Sequence, residues 1–511
     1  MYIFYLPWKD EISMEKSVNN LQIKIDSIKN LVGEKNELIV REFVIGKNYN
    51  LNAAVLYING LTNRQTIDRE ILRPLMFEVE ENLSIIHDLE DSICRKYISV
   101  SNTFVEEDMN KAVFNIRRGK AIVILQGTSK FIVVDASGGE YRGIQDPINE
   151  TSVRASREGF VEKLETNISL IRRRIKDNNL VEERLVIGRR TGTDVALLYI
   201  NNIADINIVN DIKERLNAID VDGFSGSGTL EQLIENSPYS IFPQSFPTER
   251  PDVVVANLLE GKIAVIVDGT SYAVTFPTVF FEFFQAVEDY NERTYIGSFS
   301  RLLRYLAVFI VITLPAIYIT LIKFNTELIP LKFLESIIES RKGIALTPFM
   351  SILSMNIIVE FLREGGLRLP FKIGQTLSVV GGIIIGDAAI RAKIVSSTTL
   401  LVIGIATVAT FLIPNYEMSL SIRLIGYPML FLGNFLGMFG IAAGWFFIIA
   451  HLCTLESYGV PYFKIYKSDL KDILIRAPIW KMDKRPEIMP NINSTRQSNF
   501  RNLFRRKKDG N

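Results

Sequence analysis

An α+β soluble N-terminal half built from two repeated α/β subdomains, followed by an all-α polytopic membrane domain, is what this 511-residue sequence predicts. Three observations carry the prediction. The composition changes near Ser300: charged and apolar residues mix every few positions before it, whereas Leu302 to His451 is dominated by Ile, Leu, Phe, Gly, Ala and Val. Within that second half, several apolar runs are long enough to cross a bilayer. Within the first half, residues recur at a constant offset of 142, the mark of an internal duplication. The overall hydrophobic content of 48% is ordinary for a soluble protein and conceals this asymmetry.

The duplication is visible at four landmarks. Phe43-Val44-Ile45-Gly46 returns as Leu185-Val186-Ile187-Gly188, and Leu56-Tyr57-Ile58-Asn59 returns unchanged at Leu198-Tyr199-Ile200-Asn201. Gly119-Lys120 with Gly127-Thr128-Ser129 returns as Gly261-Lys262 with Gly269-Thr270-Ser271. Apolar, β-branched runs at 53–58, 121–125 and 131–134 read as strands, and 68–76 and 210–216 have helical spacing. The Gly-Thr-Ser step reads as a hairpin connection in which glycine supplies a positive φ. The expected boundaries are 1–145 for the first subdomain, 146–178 for a helical linker, 179–297 for the second subdomain, 298–463 for the membrane domain and 464–511 for a basic tail.

In the linker, Phe160, Leu164, Ile168 and Ile171 recur at helical spacing and end in Arg172-Arg173-Arg174. With Arg154 and Arg157, these arginines are either a solvated helix face or a docking surface for a neighbouring subunit or for anionic headgroups. The glycine-rich stretch 223–229 lacks the Gly-Lys-Ser/Thr ending of a phosphate loop.

Several function classes are excluded. A net charge of +1 gives no reason to expect a nucleic-acid partner. Two cysteines, Cys94 and Cys453, and two histidines, His87 and His451, stand far apart, so neither a disulfide framework nor a metal site is expected. No nucleophile, base and orienting group can be assembled from motifs, so no enzyme, catalytic residue or cofactor is expected. Met1 to Asp10 lacks the features of a signal peptide, which keeps the soluble half on the cytoplasmic side.

The convincing spans are Leu302–Ile322, Ile373–Ile390, Ser396–Ile413 and Leu424–His451. Ile344–Leu362 is interrupted by Thr347-Pro348 and crowded at its end by Glu360, Arg363 and Glu364, which suggests a re-entrant or interfacial segment. With four crossings, Arg301, Arg304, the Arg391/Lys393 loop and the tail face the cytoplasm, and Asn415 to Ser421 faces outside. The tail beyond Ser468 suggests no role.

The second span is the most informative. Gly374, Ser378, Gly382 and Gly386 form a small-residue stripe that lets helices approach closely in lipid. Thr376, Val380, Ile383 and Asp387 occupy another face, where Val380 and Ile383 form either a dewetting constriction or ordinary lipid and core contacts. Asp387 either meets water in a cavity or pairs with Arg391 one turn on.

Arg157-Glu158-Gly159-Phe160 with Ile171 to Ile175, and Leu362 to Pro370 with Ile373-Gly374-Gln375 and Val379 to Gly382, resemble the signature of the GerA-type A subunits of spore germination receptors. The stage V sporulation protein AF, a paralogue, shares much of it. The resemblance runs from about Asp26 to Lys464. It implies a multi-pass protein of the spore inner membrane that works with a permease-like, nutrient-binding B subunit and a C-subunit lipoprotein. It further implies a homo-oligomeric ring whose helices form a germinant-gated channel releasing monovalent cations, with the pore on the helix from Gly374 to Arg391. The competing readings are a non-conducting scaffold and a secondary transporter, although the membrane half shows no inverted repeat.

Overall fold

The computed structural model describes residues 10–32, with side chains from Leu21, and residues 38–46, 51–58, 61–81, 83, 88–138, 143–368, 382 and 384–498. They fall into two units, one ending at Tyr141 and one beginning at Arg142.

The first unit is a five-stranded antiparallel sheet of order β1-β2-β4-β5-β3, formed by Leu38–Ile45, Leu51–Ile58, Thr103–Glu106, Ala121–Leu125 and Phe131–Val134 in chain order. Both faces are covered, which is why the central strands are apolar throughout rather than alternating. Ala53, Val55 and Tyr57 pack against Ile67, Ile71 and Leu75 on one face. Ala54 and Leu56 meet α1 (Asp10–Val32) and α2 (Met109–Arg117) on the other, through Leu21, Ile25, Ile28, Ala112 and Ile116.

The second unit opens with the same architecture. Strands β6 (Leu180–Ile187), β7 (Thr193–Ile200), β8 (Phe246–Thr248), β9 (Ile263–Val267) and β10 (Ala273–Phe276) repeat the order as β6-β7-β9-β10-β8. Both β4–β5 and β9–β10 turn at a glycine of positive φ, Gly127 at 81° and Gly269 at 83°, as the sequence predicted. Helix α3 (Leu164–Arg174), read from the sequence as part of a linker, covers this sheet as α1 covers the first. Its buried Leu164, Ile168, Ile171 and Ile175 match Leu21, Ile25, Ile28 and Val32, one residue out of step with the strands. The preceding chain is pinned too, because Glu249 accepts from the backbone N–H groups of Ile148 and Asn149 at 2.8 and 3.0 Å. Helices α4 (Ile206–Ala218) and α5 (Pro251–Leu259) also belong to the subdomain.

The helical region follows: α6 (Thr294–Lys323), α7 (Leu331–Arg341), α8 (Pro348–Leu367), α9 (Ser397–Thr410) and α10 (Tyr416–Thr454). Two of these, α6 and α10, are long and apolar enough to cross a membrane. The sequence suggested one span over 424–451, but α10 reverses at Gly437, whose φ of 61° and ψ of −141° are not helical. The two arms then lie side by side. A Cβ on Gly440 would fall 2.2 Å from the Leu432 carbonyl oxygen, and one on Gly444 would fall 2.8 Å from Met429 Sδ. At 1.5 Å per residue the arms are about 30 and about 25 Å long. Hydropathy measures apolar length and not direction, so a glycine that turns the chain inside an apolar run leaves no trace in it.

This reversal corrects the expected placement of Asn415 to Ser421 opposite the soluble half. Ser421 Oγ donates to the Ile241 carbonyl of the second subdomain, and His451 at the other end of α10 meets Ser240 at 3.2 Å. The Gly437 turn lies instead at the far end of α6, against Phe324. The Arg391/Lys393 stretch also lies at that far end, where Lys393 approaches Gly343 and Ser351 Oγ donates to the Ile394 carbonyl at 3.1 Å. Helix α8 runs back from there as one continuous segment, bringing Arg363 within 3.1 Å of Thr410 Oγ1.

Candidate functional site

The described charges concentrate where the second subdomain, the start of α6 and the tail converge. Arg301, two turns into α6, is fully buried. A guanidinium is tolerated there only with several acceptors, because its desolvation costs several kcal/mol. It donates through Nε to Asp289 at 3.2 Å and through Nη1 to the Asp472 carboxylate at 3.1 Å, and also reaches the Asp472 carbonyl. Arg304, one turn on, donates to the same Asp289 oxygen at 2.6 Å and to the Phe284 carbonyl at 3.1 Å.

From the tail, Arg476 donates to the carbonyls of Glu292 and Tyr290 at 2.9 and 3.2 Å. The Tyr290 hydroxyl meets the Asp472 carboxylate at 3.1 Å, and its ring lies 5.6 Å from the Arg301 guanidinium. Burial raises the Asp472 carboxyl above its ordinary range, and burial followed by the nearby Asp472 charge raises the Tyr290 hydroxyl well above its own. The tail to which the sequence assigned no role therefore supplies two members of the cluster. Its Ile488 and Met489, with Tyr458 and Val460 of the stretch before it, also enter the core of the second subdomain.

The subdomain adds a second tie. Lys262, of the repeated Gly-Lys step, is 1% exposed and pairs with Glu282, which also accepts from Thr278 Oγ1 at 2.8 Å. Glu282 sits in the middle of the aromatic segment Phe280–Phe284 that leads into α6, and Phe283 and Phe284 pack with Val308, Ile312 and Ile422 of the bundle. The second subdomain is thus joined to α6 through buried ion pairs and a continuous apolar cluster. A third charged group ties α8 to α10, where Arg423 donates to Glu360 at 2.7 Å and Arg363 approaches the same carboxylate at 3.4 Å.

The residues singled out from sequence fare differently. Gly374, Thr376, Ser378, Val380 and Ile383 lie outside the described residues. Asp387 pairs with Arg391 at 2.8 Å, with side chains 55% and 80% exposed. A Cβ on Gly382 would meet open space, and one on Gly386 would touch Leu400 at 3.5 Å. Arg154 and Arg157 are exposed. Arg172 pairs with Glu182 at 2.9 Å, and Arg173 and Arg174 share Glu158 at 3.0 and 2.6 Å. Sequence reasoning noted Arg301 and Arg304 only as topology markers and missed Asp289, Tyr290, Asp472 and Arg476. The available signal was the cation itself, set in an apolar helix and in need of a partner.

Comparison with known proteins adds a family. The model for the Bacillus/Clostridium GerA spore germination protein matches residues 26–488. Spore germination protein KA of Bacillus subtilis is 37% identical over 94% of this chain and 88% of its own length. Spore germination protein B1 of the same organism is 36% identical over 92% and 97%. A B. subtilis chain named as the uncharacterized membrane protein YfkQ is 36% identical over 91% of each. Among solved structures, the N-terminal domain of the A subunit of the Bacillus megaterium spore germinant receptor GerK3 is 33% identical, covering 50% of this chain and 94% of that one, with a TM-score of 0.21.

Proposed function

This chain belongs to the GerA spore germination family, and from that premise we propose that it is the A subunit of a nutrient germinant receptor, held in the spore inner membrane by its helical region. The bundle's outer surface supports the membrane reading. Phe435, Phe439, Phe446 and Phe447 are each about two-thirds exposed or more, an apolar surface suited to lipid rather than water. A relative is itself named as a membrane protein. Five passes fit the described helix directions, α6, α8, α9 and the two arms of α10, and the apolar stretch ending at Arg391 supplies a sixth. Subdomains and tail then share the cytoplasmic side.

The A subunit works with a permease-like B subunit that recognises the nutrient and with a C-subunit lipoprotein. Copies of the chain assemble into a ring and conduct monovalent cations when the nutrient binds. The pore helix carries Thr376, Val380, Ile383 and Asp387 on its lining face and packs through Gly374, Ser378, Gly382 and Gly386. Arg154, Arg157 and Arg172 to Arg174 lie on the soluble surface that neighbouring subunits meet.

The observation that carries the signalling role is the buried joint of Arg301, Asp289 and Asp472, which ties the start of α6 to the segment that leads into it from the second subdomain and to the tail. The Asp387–Arg391 pair favours a second reading at that position, an interfacial ion pair in place of a pore carboxylate. Cation efflux from vesicles containing the purified chain tests conduction, wild type beside Val380→Ala. Leak that rises in the variant is expected. Tight vesicles in both cases, with the protein oligomeric, would leave the chain a non-conducting scaffold.

A further inference from the structure

The tail carries an apolar surface that the buried joint does not use. While Asp472 and Arg476 turn inward to α6 and to the segment before it, Ile475 is 61% exposed, Ile479 54%, and Leu470 and Leu474 39% each. Trp480 follows, with the Lys481 ammonium 5.2 Å from its ring. An apolar cluster of this kind on a chain segment with little regular structure needs a cover, and its height along α6 indicates which.

Helix α6 is 30 residues long, about 45 Å, and exceeds a hydrocarbon core of about 30 Å. The excess lies at its start, because Arg304 is the last charge before the unbroken apolar stretch from Tyr305 to Ile322. The edge of the hydrocarbon therefore falls beside Arg304 and Tyr305. The tail crosses α6 at that level. Tyr305 donates to the Ile473 carbonyl at 3.0 Å, Arg301 holds Asp472, and Ser298 Oγ donates to the Arg476 carbonyl at 3.4 Å. Ile473 is thereby fixed at the edge of the hydrocarbon and Arg476 about two helical turns outside it, at the depth of headgroups.

We propose that the tail segment Leu470–Lys481 is a membrane-surface anchor that inserts Leu474, Ile475 and Ile479 among phospholipids beside the start of α6. The inference rests on the reading of α6 as a membrane span. Its occupant is lipid because the start of α6, which the tail crosses, also exposes apolar side chains, Phe299 62% and Leu302 49%. Charge agrees: Lys464 to Arg496 holds eight Lys and Arg against four Asp and Glu, an excess that favours anionic headgroups. Since Asp472 and Arg476 belong to the same segment, lipid packing at this surface bears directly on the joint.

The test uses the full chain with Cys94→Ser and Cys453→Ser, reconstituted in phosphatidylcholine and phosphatidylglycerol vesicles, with an environment-sensitive fluorophore on Ile475→Cys or, as reference, on Phe309→Cys in mid-helix. Quenching of the position-475 probe by a lipid bearing a nitroxide near its headgroup, together with protection from aqueous iodide, is expected. Iodide quenching at 475 while the 309 probe is lipid-quenched would overturn the anchor and leave the span intact. Protection from both quenchers would assign the surface to a protein contact and overturn it equally. Loss of lipid quenching at 309 as well would remove the span and the anchor together.

Discussion

The two subdomains share a sheet order, a hairpin turn and a Gly-Lys step, yet one is closed on itself and the other is an attachment point. Lys120 in the first lies over the Phe104 ring at 5.1 Å, near the surface. Lys262, its counterpart, is buried against Glu282. At the start of the matching helices, Asp108 caps α2 by accepting from the Asn110 N–H at 2.8 Å, whereas Arg250 before α5 reaches out to the carbonyls of Glu150 and Ser156 at 2.9 and 3.1 Å. Duplication preserved the sheet, whose central strands are packed on both faces. It freed the edges, where one copy could exchange local caps for long-range polar ties.

The largest effect that would sharpen this contrast is at the joint. Asp289 is 1% exposed and pairs with both Arg301 and Arg304, so Asp289→Ala leaves Arg304 without its carboxylate and Arg301 with Asp472 alone, and should cost about 3–5 kcal/mol. Hydrogen exchange should show β9 and β10 losing protection while β4 and β5 keep theirs. Equal loss in both subdomains would mean that the joint does not belong to the second alone.

Next in size is the lysine pair. Lys262→Met leaves the Glu282 carboxylate facing an apolar site and should destabilise the second unit by about 3 kcal/mol. Lys120→Met loses a near-surface cation–π contact of about 0.5–1 kcal/mol. Denaturant midpoints of the two variants measure the asymmetry, and similar shifts would break the comparison.

The smallest effect tests where the copies should not differ. A Cβ on Gly127 or Gly269 would meet no atom within 4 Å, so the only cost of alanine at either is its left-handed backbone, about 1 kcal/mol. Matching thermal shifts for Gly127→Ala and Gly269→Ala are expected. A markedly larger shift at one position would show that the hairpins have diverged.

How much of this was legible follows the range of the forces involved. The strands were readable because burial on both faces leaves an apolar run, and the duplication because those runs repeat at a fixed offset. Helix α3 was found by its period but placed in a linker, since its apolar residues match α1 at an offset one larger than the strands do. The Gly437 reversal had no signal in composition. The joint was half visible: Arg301 stands out within its helix, but Asp472 lies 171 residues away in a stretch without periodicity, and only folding identifies it as the partner.

That separation also sets an order of events during synthesis. At roughly 5–20 residues per second, Arg301 leaves the ribosome about ten to thirty seconds before Asp472 exists. Over that interval α6 holds a cation with only part of its final set of acceptors, and the second subdomain's core lacks Tyr458, Val460, Ile488 and Met489. A product cut short before residue 472 would lack the carboxylate that completes the acceptor set of Arg301.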